Sequence, residues 1–251
     1  MRDVLLTAAL VALGCAQRGE PTRILVSVAA SLRDVTEDVA ADFHREHPNV
    51  QVSINAGPSG LLTQQIEQGA PVDVFLSASR VEIDRLQAKG LVAGEPRVLA
   101  RNRLVIIVPA GSPWIGKPPR ELIVAPEVKR IAIGDPESVP FGRYAKEALT
   151  GAGLWDRLDG RTIYAADVRQ ALNYADQGSV DAAIVYATDA LIAKNAKELG
   201  EVPGAHDLRI EAVGARLARS TVGASQRFLD QLASPTGTAA FTRRGFAPPQ
   251  R

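Results

Sequence analysis

Residues 24–35 read ILVSVAASLRDV, a run of branched apolar residues that halts at small ones and restarts at helical spacing. Residues 24–28 have the density of aliphatic side chains expected of a short buried strand. Leu32, Val35, Val39 and Phe43 then recur at three- and four-residue intervals, which places them on one face of a helix. A strand entering a helix through Ala29-Ala30-Ser31 is half of a β-α-β unit. Such units build parallel sheets covered by helices on both faces.

Outward from this stretch the alternation continues. Val50, Val52 and Ile54 alternate as in a strand, and Leu61, Leu62 and Ile66 suit a short helix before Gly69. Residues 72–76 predict another strand, Ile83 and Leu86 another helix, and residues 103–108 (RLVIIV) a strongly β run closed by Pro109 and Gly111. The Pro-rich stretch 111–119 reads as a loop. A second series follows, with strands at 130–133, 162–164 and 180–185 and helices at 144–149 and 168–176. A turn or helix is expected from Thr188. A strand at 212–217 and helices at 225–232 and 237–243 close the chain. No internal repeat, low-complexity tract or charge block stands out. The expectation is an α/β protein of two lobes with a ligand cleft between them. Residues 22–102 and 212–251 form the first lobe and 103–211 the second.

Composition narrows the function. At 251 residues there is enough chain for one large or two medium domains, and 46% hydrophobic with 23% charged residues is ordinary for globular folds. The net charge of +1 argues against a dedicated nucleic-acid binder and leaves no global field to attract anions, so any anion site must be built locally. Cys15 is the only cysteine, which rules out an internal disulfide and a thiolate zinc site. His44 and His47 lie one helical turn apart with no third ligand nearby, and read as solvated helix-end histidines.

Residues 4–14 (VLLTAALVALG) are apolar, follow Arg2, and match a signal-peptide core in length, too short to span a bilayer. Cys15 follows at once, and residues 17–21 are polar and breaker-rich, as a tether would be. The arrangement resembles a bacterial lipoprotein signal, in which the cysteine is acylated. The alternative is an ordinary secretory signal with an incidental cysteine. Ala12 stands where such signals more commonly carry leucine. On either reading residues 1–21 direct the chain out of the cytoplasm.

Four places join a strand end to a helix start through small or special residues: 29–32 (AASL), 57–60 (GPSG), 134–142 (GDPESVPFG) and 166–169 (ADVR). Helix N-termini present unpaired N–H groups and a partial positive charge, so they bind anions without a cationic side chain. Taken singly, Ser31 and Asp167 have the residue types of ordinary N-caps, and Tyr186 that of a core or rim aromatic.

Five blocks, VSVAASLRDV (26–35), QQIEQGAPVDVFLSAS (64–79), IAIGDPESVPFGRYAKEAL (131–149), ADVRQAL (166–172) and AAIVYATDA (182–190), occur in this order, and FTRRGF (241–246) follows. Together they resemble the molybdate-binding components of bacterial ABC importers, which are type II periplasmic binding proteins. The resemblance implies two lobes, each a mainly parallel sheet flanked by helices. It implies a receptor and not an enzyme, a monomer without cofactor, membrane importer subunits as partners, and membrane contact only through the N-terminal anchor. It further implies that the oxyanion, molybdate or tungstate, is held by neutral donors. These are Ser31 and Ser59 through hydroxyl and backbone N–H, Phe141 and Val168 through backbone N–H, and Tyr186 through its hydroxyl. None touches the metal directly. GPSG before α-helical residues replaces the serine run common in the family, leaving fewer spare hydroxyls there.

Three alternatives remain open. Another oxyanion, sulfate, thiosulfate or phosphate, suits the same donors; cavity size favours the larger anions, and a donor-only site disfavours the O–H of protonated phosphate. A serine hydrolase using Ser59 or Ser31 lacks the G-x-S-x-G spacing and a histidine in a strand-end loop. A two-lobed transcriptional regulator would carry a helix-turn-helix segment, where this chain carries an export signal.

Overall fold

The computed structural model describes residues 21–250; the signal core at 4–14 and Cys15 lie outside the described residues. The first series contains β1 (Thr22–Ala29), α1 (Arg33–Glu46), β2 (Val50–Gly57), α2 (Ser59–Glu67), β3 (Val74–Ser77), α3 (Arg80–Ala88) and β4 (Val92–Arg101). The second contains β5 (Leu104–Pro109), α4 (Pro119–Val124), β6 (Ile131–Gly134), α5 (Pro140–Gly151), β7 (Thr162–Ala165), α6 (Val168–Asp176), β8 (Ala182–Tyr186), α7 (Ala187–Ala190) and β9 (Ala196–Glu201). The chain ends with β10 (Glu211–Leu217), α8 (Gly223–Leu232) and α9 (Pro235–Arg243).

Two five-stranded sheets result, ordered β2-β1-β3-β10-β4 and β7-β6-β8-β5-β9. In the first, β1 pairs in parallel with β2 and β3, while β10 runs against β3 and β4. In the second, β6 pairs in parallel with β7 and β8, while β5 runs against β8 and β9. Both are mainly parallel sheets crossed by one reversed strand. The chain passes between sheets twice, and the two passages lie side by side, with the Asn102 N–H donating to the Ile210 carbonyl at 2.9 Å.

β1 shows why helices cover both faces. Ile24, Val26 and Val28 are fully buried in the core formed with Val35, Val39 and Phe43 of α1 and Phe228 of α8. Leu25 packs the opposite way, against the core of Leu62, Ile66, Ile83 and Leu86 from α2 and α3. Each aliphatic side chain so buried contributes about 1.5–3 kcal/mol.

Two edge strands and one helix escape the hydrophobic pattern. β4 contains Gly94 and Pro96 and exposes much of its length, and β9 (AKELGE) carries charges that suit a helix as well as a strand. Both lie at sheet edges, where backbone pairing with a neighbour, not alternation, makes the strand. α4 begins at Pro119, where the Pro-rich loop ends, and the proline fits the first helical position. The chain also contains a short structural repeat that inspection of the sequence overlooks. Gln68-Gly69-Ala70-Pro71-Val72-Asp73 precedes β3, and Gln177-Gly178-Ser179-Val180-Asp181 precedes β8, the middle strand of each five-stranded sheet. Its small size and a one-residue difference in length hide it.

Among the described residues no helix is long and apolar enough to cross a membrane. His44 Nδ1 lies 3.0 Å from the Val50 carbonyl, and no described group of three or more His, Cys, Asp or Glu side chains is arranged to hold a metal ion.

Candidate functional site

Four helix starts and one strand end meet at a single small cavity, lined by Ser31, Ser59, Phe141, Val168 and Tyr186 together. The walls therefore come from both sheets. Each wall residue is placed by a local rule. β1 stops at Ala29, and Ala30–Leu32 makes a tight 3-10 turn that buries Ser31 without using its hydroxyl as a cap. Pro58, extended, precedes Ser59, the first residue of α2. Pro140 occupies the first position of α5, which leaves the Phe141 N–H in the first turn, where intrahelical acceptors are missing. Asp167 caps α6 by accepting from Gln170 N at 2.9 Å, and the Gln170 side chain accepts from Ala166 N at 2.7 Å. Val168 is thus the first residue of α6, its N–H among the unpaired donors.

The turn before α5 depends on glycine. A Cβ on Gly142 would lie 2.3 Å from the Gly134 carbonyl oxygen, and one on Gly134 would meet Val139, Phe141 and Gly142. Within the turn the Asp135 carboxylate accepts from Glu137 N at 3.0 Å and the Ser138 hydroxyl at 2.9 Å, so this acid is consumed by the loop.

The electrostatics are those of a donor cage. No described lysine, arginine or histidine lines the cavity, and its one carboxylate, Asp167, is turned to its cap. The Ala78 N–H approaches Ser59 Oγ at 3.4 Å, which leaves the Ser59 hydroxyl proton to donate into the cavity. The Tyr186 side chain is 2% exposed and its hydroxyl has no partner among the described residues. Burial pushes the Tyr186 phenol well above its usual range, so near neutrality it is a donor. A buried donor without an acceptor costs about 1–3 kcal/mol. A bound oxyanion would remove that cost.

All five residues singled out from the sequence are brought together. Others nearby were not singled out. Arg169, one residue after Val168, reaches Asp34 at 3.0 Å and the buried Asp189 at 2.7 Å. The second approach is off-line for a hydrogen bond, so it is an ionic contact. Burial raises the Asp189 carboxyl to about 7 against the opposing pull of Arg169. Arg143, two residues after Phe141, pairs with Glu82. The signal for these residues was proximity in sequence to the wall residues, but charged side chains on helices read first as solvated.

Comparison with known proteins agrees with this arrangement. Residues 24–247 match the family described as bacterial extracellular solute-binding protein. The chain is 33% identical to a putative ABC transporter substrate-binding lipoprotein, YvgL, of Bacillus subtilis, over 96% of this chain and 95% of that protein. It is 36% identical to the molybdate-binding protein ModA of Haemophilus influenzae, over 72% of each. Among solved structures, the substrate-binding domain of a putative molybdenum ABC transporter from Clostridium difficile superposes with a TM-score of 0.70 at 31% identity, covering 91% of this chain and all of that one. With its two sheets, its helix starts converging on one cavity and a family match over nearly the whole described chain, the protein belongs to the bacterial extracellular solute-binding proteins.

Proposed function

We propose that this protein is the receptor of an ABC importer for molybdate or tungstate, and that Ser31, Ser59, Phe141, Val168 and Tyr186 hold the oxyanion. The observation that carries this reading is the donor cage, with two serines, two helix-start amides and an unpartnered buried phenol at one cavity. A dianion is stabilised there by fixed dipoles without a counter-ion. The lack of a histidine along the cavity wall disfavours hydrolysis by Ser31 or Ser59, which would need a general base. The molybdate-binding relative supports the choice of anion.

In this reading residues 22–102 with 212–251 and residues 103–211 are the two lobes, hinged where Asn102 meets Ile210. The receptor acts outside the cytoplasm as a monomer, tethered by a lipid on Cys15, and hands its anion to the importer's membrane subunits. The lipoprotein relative supports the tether. Replacing Cys15 with Ser should release the protein from the membrane fraction; wild-type protein found only in the aqueous fraction refutes the tether.

Thermal unfolding against a panel of oxyanions tests the ligand. Molybdate or tungstate at a thousandfold excess over its Kd adds about 4 kcal/mol, or roughly ten degrees for a chain of this size. Sulfate and phosphate at equal concentration should do little. An equal shift from sulfate would replace molybdate with a smaller anion.

A further inference from the structure

Two of the second lobe's proposed ligands stand on separate elements, Val168 at the start of α6 and Tyr186 at the end of β8. Each is followed closely by a charged residue. Arg169 comes one position after Val168, and Asp189, in α7, comes three after Tyr186. Arg169 Nε lies 2.7 Å from Asp189 Oδ1, so the two elements are tied to each other within one lobe. Asp189 is fully buried, and neither of its oxygens accepts a hydrogen bond from a described residue. A buried carboxylate held only by an ionic contact is costly to the fold, so stability does not account for it.

The cap on α6 does not do what this tie does. Asp167 accepts from Gln170 N at 2.9 Å, which closes the first turn on itself. A turn closed on itself does not fix where the helix start lies relative to β8. α7, by contrast, is fastened to the crossing between the sheets, with Asn102 Nδ2 donating to Thr188 Oγ1 at 2.9 Å. Asp189 thus stands on an anchored element and reaches the side chain next to the Val168 amide.

We propose that Asp189 is a positioning residue, which through Arg169 sets the Val168 amide beside the Tyr186 hydroxyl so that both meet one oxyanion. This rests on the receptor reading above. Asp189 does not line the cavity, so it is no ligand. Nor does it draw the anion in, since its charge offsets that of Arg169. What it supplies is a supporting shell, which a binding group needs to stay within about 0.5 Å of its working position. After burial, three charged groups act on Asp189: Arg169 of α6, Asp34 of α1, and Asp167 at the α6 cap. β5, β8 and β9 also pack on α7 and add no charge to that set. The tie lies inside the second lobe, so it shapes that half of the site whether or not the lobes meet.

The test is a double-mutant cycle at pH 8, where Asp189, raised by burial to about 7, is mostly ionised. Affinity of the full chain for molybdate is read by calorimetric titration. Asp189→Asn should bind about tenfold more weakly, while its melting without anion holds or rises because a buried charge is gone. In the Ser59→Ala background, on the other lobe, the same loss should persist. In Val168→Pro, which lacks the amide, it should shrink below about twofold. A merely structural role would lower melting and cost affinity alike in every background. Nuclear magnetic resonance of the anion-free protein reads the tie directly: Asp189→Asn should shift the Val168 amide and leave that of Phe141 in place. Should Val168→Pro not fold, the amide resonance decides. Wild-type affinity in Asp189→Asn refutes the proposal, as do an undiminished loss in Val168→Pro and an unmoved Val168 amide. If wild type binds no molybdate, the anion reading fails, and the Val168 amide alone then decides whether Asp189 positions it.

Discussion

The two lobes are built on one frame and equipped differently. Their sheets have the same strand order, and in each the middle strand is entered through a similar segment that runs from a glycine to Val-Asp. Gly69 and Gly178 end the preceding helix with φ of +99° and +66°, a conformation natural to glycine. Asp73 and Asp181 then tie strands together at matching places. Asp73 accepts from Leu25 N at 2.8 Å, and Asp181 accepts from Lys129 N at 2.7 Å and Arg130 N at 2.8 Å. The difference lies at the far ends of the strands. The first lobe offers serine hydroxyls with acids at the rim; the second offers helix-start amides and a phenol with arginines at the rim. The frame specifies where groups converge, and the few residues after each strand specify which groups they are.

The largest expected effect comes from forcing the lobes apart. Gly60→Ala suits its own helix, since alanine is better than glycine there by about 1 kcal/mol. Its methyl group would nonetheless strike the Ser138 carbonyl when the cleft shuts. Losing two donors to a charged ligand, at about 1.5–3 kcal/mol each, predicts an affinity drop of a hundredfold or more, with melting of the anion-free protein unchanged or raised. Calorimetric titration showing wild-type affinity would mean that the lobes do not meet on the anion.

Val168→Pro tests the second lobe's use of backbone. Proline fits the first position of α6 and removes only the N–H, so affinity should fall by about ten- to a hundredfold. Val168→Ala is the control. Val168 is buried, so the alanine variant should lose about 1 kcal/mol of stability and keep its affinity. Equal binding losses in both variants would assign the role to the side chain.

Hydroxyl removal should separate the lobes by sign. Tyr186→Phe takes away a donor without a partner, so affinity should fall by about tenfold while melting without anion rises or holds. Ser59→Ala also takes away the acceptor for the Ala78 N–H, so affinity and anion-free melting should both fall. Melting curves moving together in the two variants would remove this distinction.

A pH slope in stability, set by a second-lobe carboxyl, sharpens the comparison further. Folded Asp189 keeps its proton to about 7, against an ordinary value of 3.8. Between those values the native state binds more protons than the unfolded chain, so this group's contribution to stability falls as pH rises. Arg169 opposes the shift, and Asp34 and Asp167 reinforce it. Denaturant melts from pH 4 to 8 should show the decline in wild type and a flatter profile in Asp189→Asn. A wild-type profile retained in the variant assigns the slope elsewhere.

Most of the frame was legible because buried strands and amphipathic helices write themselves in period two and period 3.6. α6 begins at Val168 and ends at Asp176, as its pattern predicts, because Asp167 caps it and leucine and alanine repeat on one face. β4 and β9 were not legible, since an edge strand needs only a neighbour's backbone, and neither Gly94-Glu95-Pro96 nor Lys197-Glu198 advertises one. The five wall residues came from resemblance as well as pattern. Serine or aspartate at a helix start means a cap until several such starts are known to face one another.

By itself, the amino-acid order determined the alternating elements, the helix start at Val168, and the absence of any charge excess that would draw anions from afar. These are local properties, set by side-chain periodicity and a capping carboxylate. Only the tertiary structure decided that Tyr186 is sealed from solvent without a partner, and that Asp189 is buried. It alone set Arg143 and Arg169 opposite Glu82 and Asp34 across a shut cleft. Those features join residues up to 135 positions apart. Burial and pairing at that separation follow from how two sheets pack, which no short window of sequence contains.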